Sequence, residues 1–205
     1  MKKIILLSAL MAGLGFVACT GNTEKAAETA ATNSDAVIEN IMTRVSVREF
    51  TEQPVSKDTL DLLVKAGMAA PSAVNKQPWA FVVVTDREVL DSLNSVKEFF
   101  NLKTATAAIV VCGDLDKAME GEGQQYWVQD CCAATENILL AAHAYGLGAV
   151  WCGVYPIQAT VDGVKRVLDL PENIVPLDVI TLGYPAENPE PKDKFKEENI
   201  HYNRW

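Results

Sequence analysis

Apolar residues fall into two rhythms along this chain. Over 79–85 (WAFVVVT) and 106–112 (TAAIVVC) they run almost unbroken, the pattern of strands covered on both faces. Shorter runs at 149–153 and 175–184 add two more strands. Elsewhere the apolar residues recur at helical spacing. Over 56–70, Leu60, Leu63, Val64 and Gly67 form one stripe. Ser56 is placed to cap that helix and Pro71 to stop it. Segments 35–43, 86–100 and 157–168 predict further helices, the first with Val37, Ile38 and Ile41 on one face. The helix over 126–145 is apolar nearly all round, which predicts burial, and Gly146 is its natural C-terminal cap. Such a helix sits at the centre of a domain or in a subunit interface. Ala134 and Ala141, small and seven apart on it, share a face that would meet another subunit in the second case. Four strands alternating with helices fit an α+β or α/β sandwich. The stretches 114–125 and 185–198 read as irregular.

The leading segment stands apart from this pattern. Lys2 and Lys3 precede an apolar run over 4–17 that is short for a membrane span, and small Ala18 precedes Cys19. The order is similar to a bacterial lipoprotein signal with lipid on Cys19; a plain secretory signal is the alternative. Residues 19–34 are small, polar and aperiodic, so they read as a disordered tether. This predicts a leader over 1–18, a tether over 19–34 and one domain over 35–205. It also predicts export and a lipid anchor on a bacterial membrane, periplasmic or surface-facing, as the only membrane contact.

Composition narrows the chemistry. Of 205 residues, 49% are hydrophobic, enough for a sizeable core, and the formal charge is −9. An acidic chain is a poor partner for nucleic acid. An anionic ligand would need a few local cations. No Rossmann or P-loop glycine pattern is present. Cys112, Cys131, Cys132 and Cys152 show no C-x-x-C spacing, so no metal site is expected and the thiols read as small core residues. His143 reads as a core histidine and His201 as packed in the tail. No Ser/His/Asp grouping supports hydrolysis.

Two polar stretches carry the candidate chemistry. Arg44, Ser46 and Arg48 alternate, which puts two guanidiniums and a hydroxyl on one side, a set that suits a phosphate monoester. A solvated charged turn shows the same pattern. Between Pro71 and Pro78, Ser72, Asn75, Lys76 and Gln77 crowd one loop between helix and strand. That suits a flat, heteroatom-rich ligand or an ordinary connection.

The wording of these stretches resembles the nitroreductase family. P-S-x-x-N-x-Q-P-W-x-F from Pro71 looks like the family's flavin loop, and R-x-S-x-R-x-F from Arg44 like its opening. G-L-G-x-x-W from Gly146 and the tail from Leu182 through Lys192 and Lys194 to Trp205 complete the match. The resemblance implies an α+β sandwich, a mostly antiparallel sheet flanked by helices, dimeric, with FMN as cofactor. It assigns the FMN phosphate to Arg44, Ser46, Arg48, Lys192 and Lys194, and the ring edge to Pro71, Ser72, Asn75 and Gln77. Backbone contact near the ring goes to Cys152 and Gly153, since glycine permits close approach. No protein nucleophile is implied. The implied reaction is ping-pong reduction of nitroaromatic, quinone or similar small-molecule electron acceptors, with NAD(P)H or another donor. The rival is a lipid-anchored flavin-binding or scaffold protein without turnover.

Overall fold

The computed structural model describes residues 33–205. The leader over 1–18, Cys19 and nearly all of the tether lie outside the described residues. The chain divides into a leading unit ending at Ile38, whose described residues are helical, and a main unit from Glu39 to Trp205. Helix α1 covers 33–43. It is followed by α2 (Lys57–Met68), β1 (Trp79–Val84), α3 (Arg87–Val96), β2 (Ala107–Asp114), α4 (Tyr126–Ala144), β3 (Gly148–Gly153), α5 (Gln158–Val167) and β4 (Ile174–Gly183).

The four strands form one sheet in the order β1-β2-β4-β3, and every neighbouring pair is antiparallel. The fold is therefore α+β, although a helix stands between each pair of successive strands. Every residue of β2 is buried, which explains its unbroken apolar run. Its alternate side chains serve two cores. Ala107, Ile109 and Val111 pack with Leu60 and Leu63 of α2 and with Cys131, Ala134 and Ile138 of α4. Ala108, Val110 and Cys112 pack with Leu90 and Leu93 of α3 and with Val161 and Val164 of α5. Between β2 and β4 the register slips: Val111 faces Asp178, but Cys112 faces Pro176. Leu177 is the extra residue, and such a bulge turns two successive side chains toward one face. Leu177 and Asp178 both meet the α4 side, the first in its core and the second at Thr135.

The caps follow the sequence pattern. Thr59 N–H donates to Ser56 Oγ at 3.1 Å at the start of α2. At the end of α4, Gly146 takes φ 71°. Its N–H reaches His143 O at 2.9 Å while Leu147 N–H reaches Ala142 O at 2.9 Å, so two orphan carbonyls are satisfied. His143 Nε2 lies 3.0 Å from Thr43 Oγ1, and Asn40 Nδ2 donates to Leu140 O at 3.0 Å, fastening the end of α1 to α4.

Two expectations are corrected. The helix expected over 86–100 stops at Val96, because Lys97 is extended (φ −151°, ψ 116°) and a separate turn, Glu98–Phe100, drives Phe100 into the core. The placing of Ala134 on a subunit-contact face also fails. Ala134 is fully buried inside the protomer, and Ala141 packs half-buried against the same core. A Cβ on Gly67 would lie 2.9 Å from Ile138 and 3.4 Å from Ala134 O. The small residues thus let α2 approach α4.

The packing around Trp127 is equally tight. Its ring stacks edge-on to Tyr155 at 5.0 Å, and a Cβ on Gly113 of β2 would fall 2.3 Å from Trp127 Cε3. Gly113→Ala is expected to destabilise the protein by about 1–3 kcal/mol, the usual range for overpacking. Urea unfolding measures it, and a wild-type midpoint would mean that the indole has room to shift.

Candidate functional site

Residues 44–50 leave α1 in extended conformation and are stitched down at every other position. Val47 N–H donates to Ala149 O of β3 at 3.0 Å, and its side chain is buried in the α3/α5 core. A Cβ on Gly148 would lie 2.7 Å from Val47 Cγ1, so glycine there lets the segment lie close on the strand. Phe50 is also buried and pairs with Pro185. With Val45, Val47 and Phe50 facing the core, alternation turns Arg44, Ser46 and Arg48 the other way.

The tail meets them there. Arg44, Ser46 and Arg48 share a pocket of about 260 Å³ with Glu190, Lys192 and Lys194. Four cations face one carboxylate in a protein whose net charge is −9. Arg44 is also steadied from α4, its Nε 3.6 Å from Glu136 Oε1. A second pocket of about 370 Å³ adjoins, sharing Arg44, Lys192 and Lys194 and adding Ile41, Met42 and Phe195 as apolar wall. Planar guanidinium forks beside lysine point charges are a set that holds a phosphate dianion.

The loop at 71–77 is elsewhere. Its backbone is strained, with Val74, Asn75 and Gln77 at φ 42°, 58° and 51°, a region costly for residues other than glycine. The loop is held by its own contacts: Gln77 N–H donates to Ser72 Oγ at 2.9 Å and Gln77 Nε2 to Asn75 Oδ1 at 2.9 Å. From α4, Asp130 Oδ1 accepts Ala73 N–H at 2.8 Å. Asn75 and Gln77 are exposed, and their mutual bond leaves the amide N–H of one and the carbonyl of the other free for a partner. Together they offer a donor and an acceptor side by side, which suits the edge of a heterocycle. Pro71 is exposed beside them.

These two sets lie at opposite corners of the sheet. The loop leads into Trp79, at the Gly113 end of edge strand β1, while Val47 sits at the Gly148 end of the other edge strand, β3. Three strand spacings and a six-residue strand separate them by roughly 20 Å. None of Pro71, Ser72, Asn75 and Gln77 lines the cation pocket.

Gly153 ends β3 on the same edge as the cation pocket, and a Cβ there would meet nothing within 4 Å. Nothing in the protomer itself demands a glycine at that exposed position. Cys152, expected to offer backbone contact near the ring, turns its side chain away from that edge. It is 3% exposed and sits in the α3/α5 core, its Sγ donating to Phe99 O at 3.3 Å. Strand alternation turns it inward between Trp151 and Gly153, leaving only its backbone at the edge.

Burial pushes every described thiol up, Cys112 to about 12, and all four are free. They are protonated core residues and poor nucleophiles. Among the described residues no group of His, Cys, Asp and Glu could hold a metal. His201 stacks on Trp205 at 4.0 Å, with both rings exposed. Glu136, Glu187 and Glu190 escaped the sequence reading. Only the Pro-rich spacing around Glu190 hinted at an extended tail.

The family model described as Nitroreductase family matches residues 41–101 and 94–184. A protein of Methanothermobacter thermautotrophicus, described only provisionally as an NADH dehydrogenase/NAD(P)H nitroreductase, is 45% identical over 82% of this chain and 87% of its own. A solved Bacteroides thetaiotaomicron structure with the same description is 46% identical, covers 83% of this chain and 98% of its own, and has a TM-score of 0.78. The NADPH:FMN oxidoreductase of Vibrio harveyi, solved with NAD+, is 29% identical over 82% of this chain and 77% of its own, at a TM-score of 0.74.

Proposed function

The chain belongs to the nitroreductase family, and from that premise we propose that it is an FMN-dependent NAD(P)H oxidoreductase acting on nitroaromatic, quinone or similar conjugated electrophiles. The observation that carries the reading is the pocket where Arg44, Ser46 and Arg48 meet Lys192 and Lys194. Four cations on a chain this acidic need an anionic ligand, and the phosphate of FMN is one the set fits. The Vibrio harveyi neighbour, an FMN oxidoreductase by name, supports the same cofactor. Bound FMN would supply the carrier for electrons passing from NAD(P)H to the acceptor. The protein's part is to bind and orient. Arg44 and Arg48 offer forked donors, Ser46 a hydroxyl, and Gly153 a backbone that a flat ring can approach closely. The acceptor then needs no protein nucleophile.

Asn75 and Gln77 suit the ring edge, yet they stand roughly 20 Å from the cations of their own chain. We therefore place each FMN between two copies, phosphate on one and ring edge on the other. The exposed tail residues Phe195, Tyr202 and Trp205 supply apolar surface for that pairing.

The test is spectroscopic. The purified protein is expected to be a yellow dimer. Anaerobic NADH or NADPH should bleach it, and a nitroaromatic or quinone should restore the colour. A colourless protein that takes up no added FMN would overturn the reading, and a yellow monomer would overturn the shared site. Bleaching that no acceptor reverses would instead fit a flavin-binding protein without turnover.

A further inference from the structure

The two halves of the cation pocket come from distant parts of the chain, so something must hold them in register. Backbone pairing does part of this. Thr51 N–H donates to Tyr184 O at 2.8 Å, and Ala186 N–H to Glu49 O at 2.9 Å. The next contact is made by a side chain. Glu187 Oε1 accepts Arg48 N–H at 2.6 Å and Glu49 N–H at 3.3 Å. One carboxylate oxygen thus gathers two successive backbone donors, 139 and 138 residues away in sequence.

Glu187 does not line the pocket itself. It stands between Ala186, the last paired tail residue, and Glu190, where the tail enters the pocket wall. Freed of this contact, the tail beyond Ala186 would swing on its own backbone, and Lys192 and Lys194 with it. Arg48 would lose the bond that fixes its backbone.

We infer that Glu187 is the positioning residue of the phosphate site, clamping Arg48 to the tail so that the arginine and lysine cations converge on one anion. The inference rests on the FMN reading. A carboxylate is an unexpected choice beside an anion site, because its charge opposes the ligand. Its gain is geometric: charge-assisted bonds to backbone N–H groups are short and strong. A rival role follows from the same contact. The carboxylate would be a stand-in for phosphate, filling the two-amide nest until ligand displaces it.

The two roles predict opposite results. If Glu187 positions, Glu187→Ala weakens FMN binding roughly tenfold, the effect of losing about one charge-assisted hydrogen bond. Glu187→Gln, which keeps the accepting oxygen and drops the charge, falls between wild type and Glu187→Ala, since a neutral acceptor holds the clamp more weakly but no longer repels the anion. Riboflavin, which lacks the phosphate, binds wild type and both variants alike; a general loss of fold would weaken it too. Titration of FMN and riboflavin into apo-protein reads all three. Equal FMN affinity in wild type and Glu187→Ala would overturn the assignment alone. Tighter FMN binding in Glu187→Ala would overturn it in favour of the stand-in. Wild-type protein that binds neither FMN nor inorganic phosphate would overturn both the assignment and the flavin reading beneath it.

Discussion

Arg44→Ala and Arg48→Ala are each expected to weaken FMN binding by about 1.5–3 kcal/mol, the range for hydrogen bonds to charged groups. That corresponds to roughly 10- to 150-fold in affinity. The size follows from where these side chains stand. At a net charge of −9, the field of the whole molecule repels an anion. Attraction is left to the four cations that converge at the pocket. The lysines are point charges, so the arginines alone bring planar, paired donors. Arg44 is held from behind by Glu136, so less side-chain freedom is lost when a ligand arrives. Losses in the double variant should fall short of additive, because both forks address one group. Rising salt should weaken the wild type more than the double variant, since screening acts on the charges the variant has lost. Fluorescence titration of FMN into apo-protein measures these quantities, with riboflavin as the control that should not respond. Wild-type FMN affinity in both single variants would return 44–48 to the status of a charged surface turn.

Much of this architecture could be read from residue order, for physical reasons that also mark the boundary of what could be read. Ser56, Leu60, Leu63 and Gly67 announced α2 because capping and a helical stripe are local properties. The run at 106–112 announced a strand covered on both faces, because burial on two sides removes the alternation that one-sided strands show. Strand direction was not legible in the spacing of elements, and only the resemblance implied the antiparallel sheet that is found. A helix between strands fits a parallel crossover and an antiparallel return equally, and the pairing of β2 with both β1 and β4 depends on contacts far apart in sequence. The fate of Ala134 was hidden likewise. An apolar helix says that it is buried but not what buries it, and here α2 and the sheet do so within one chain. In the site, the two cation pairs could be read because each is local. Their convergence came from the resemblance alone and not from spacing, since it depends on a tail folding back onto 48–51 and on Glu187 reaching across 139 residues.

The bulge in β4 creates the second large expectation, that Asp178→Asn will stabilise the protein by an amount that grows with pH. Asp178 is fully buried. Its Oδ2 accepts the Thr135 hydroxyl at 2.9 Å, and its Oδ1 has no partner. Burial pushes the carboxyl well above its ordinary range, and the Thr135 bond draws it back only in part. Ionising the neighbouring thiols of Cys112, Cys131 and Cys132 would only add negative charge, and burial holds them protonated. The sign then follows. In the unfolded chain the same carboxyl ionises near about pH 3.9. Above that, the unfolded state sheds a proton that the native state keeps, so native stability falls as pH rises until the buried acid ionises as well. The slope reaches about 1.4 kcal/mol per pH unit for one proton. An asparagine has the shape of the neutral acid, can accept the same Thr135 bond and has no proton to lose. Variant and wild type should therefore match at the acid end and diverge as pH rises above the unfolded value, until the buried acid itself ionises. Asp178→Ala should rise relative to wild type with the same pH dependence but lie below the asparagine variant at every pH, since it leaves the Thr135 hydroxyl without its acceptor and opens a cavity. Urea unfolding of all three proteins across a pH series isolates the effect, because every other titrating group is common to them. A difference between asparagine variant and wild type that does not change with pH would show that Asp178 is ionised in the folded protein.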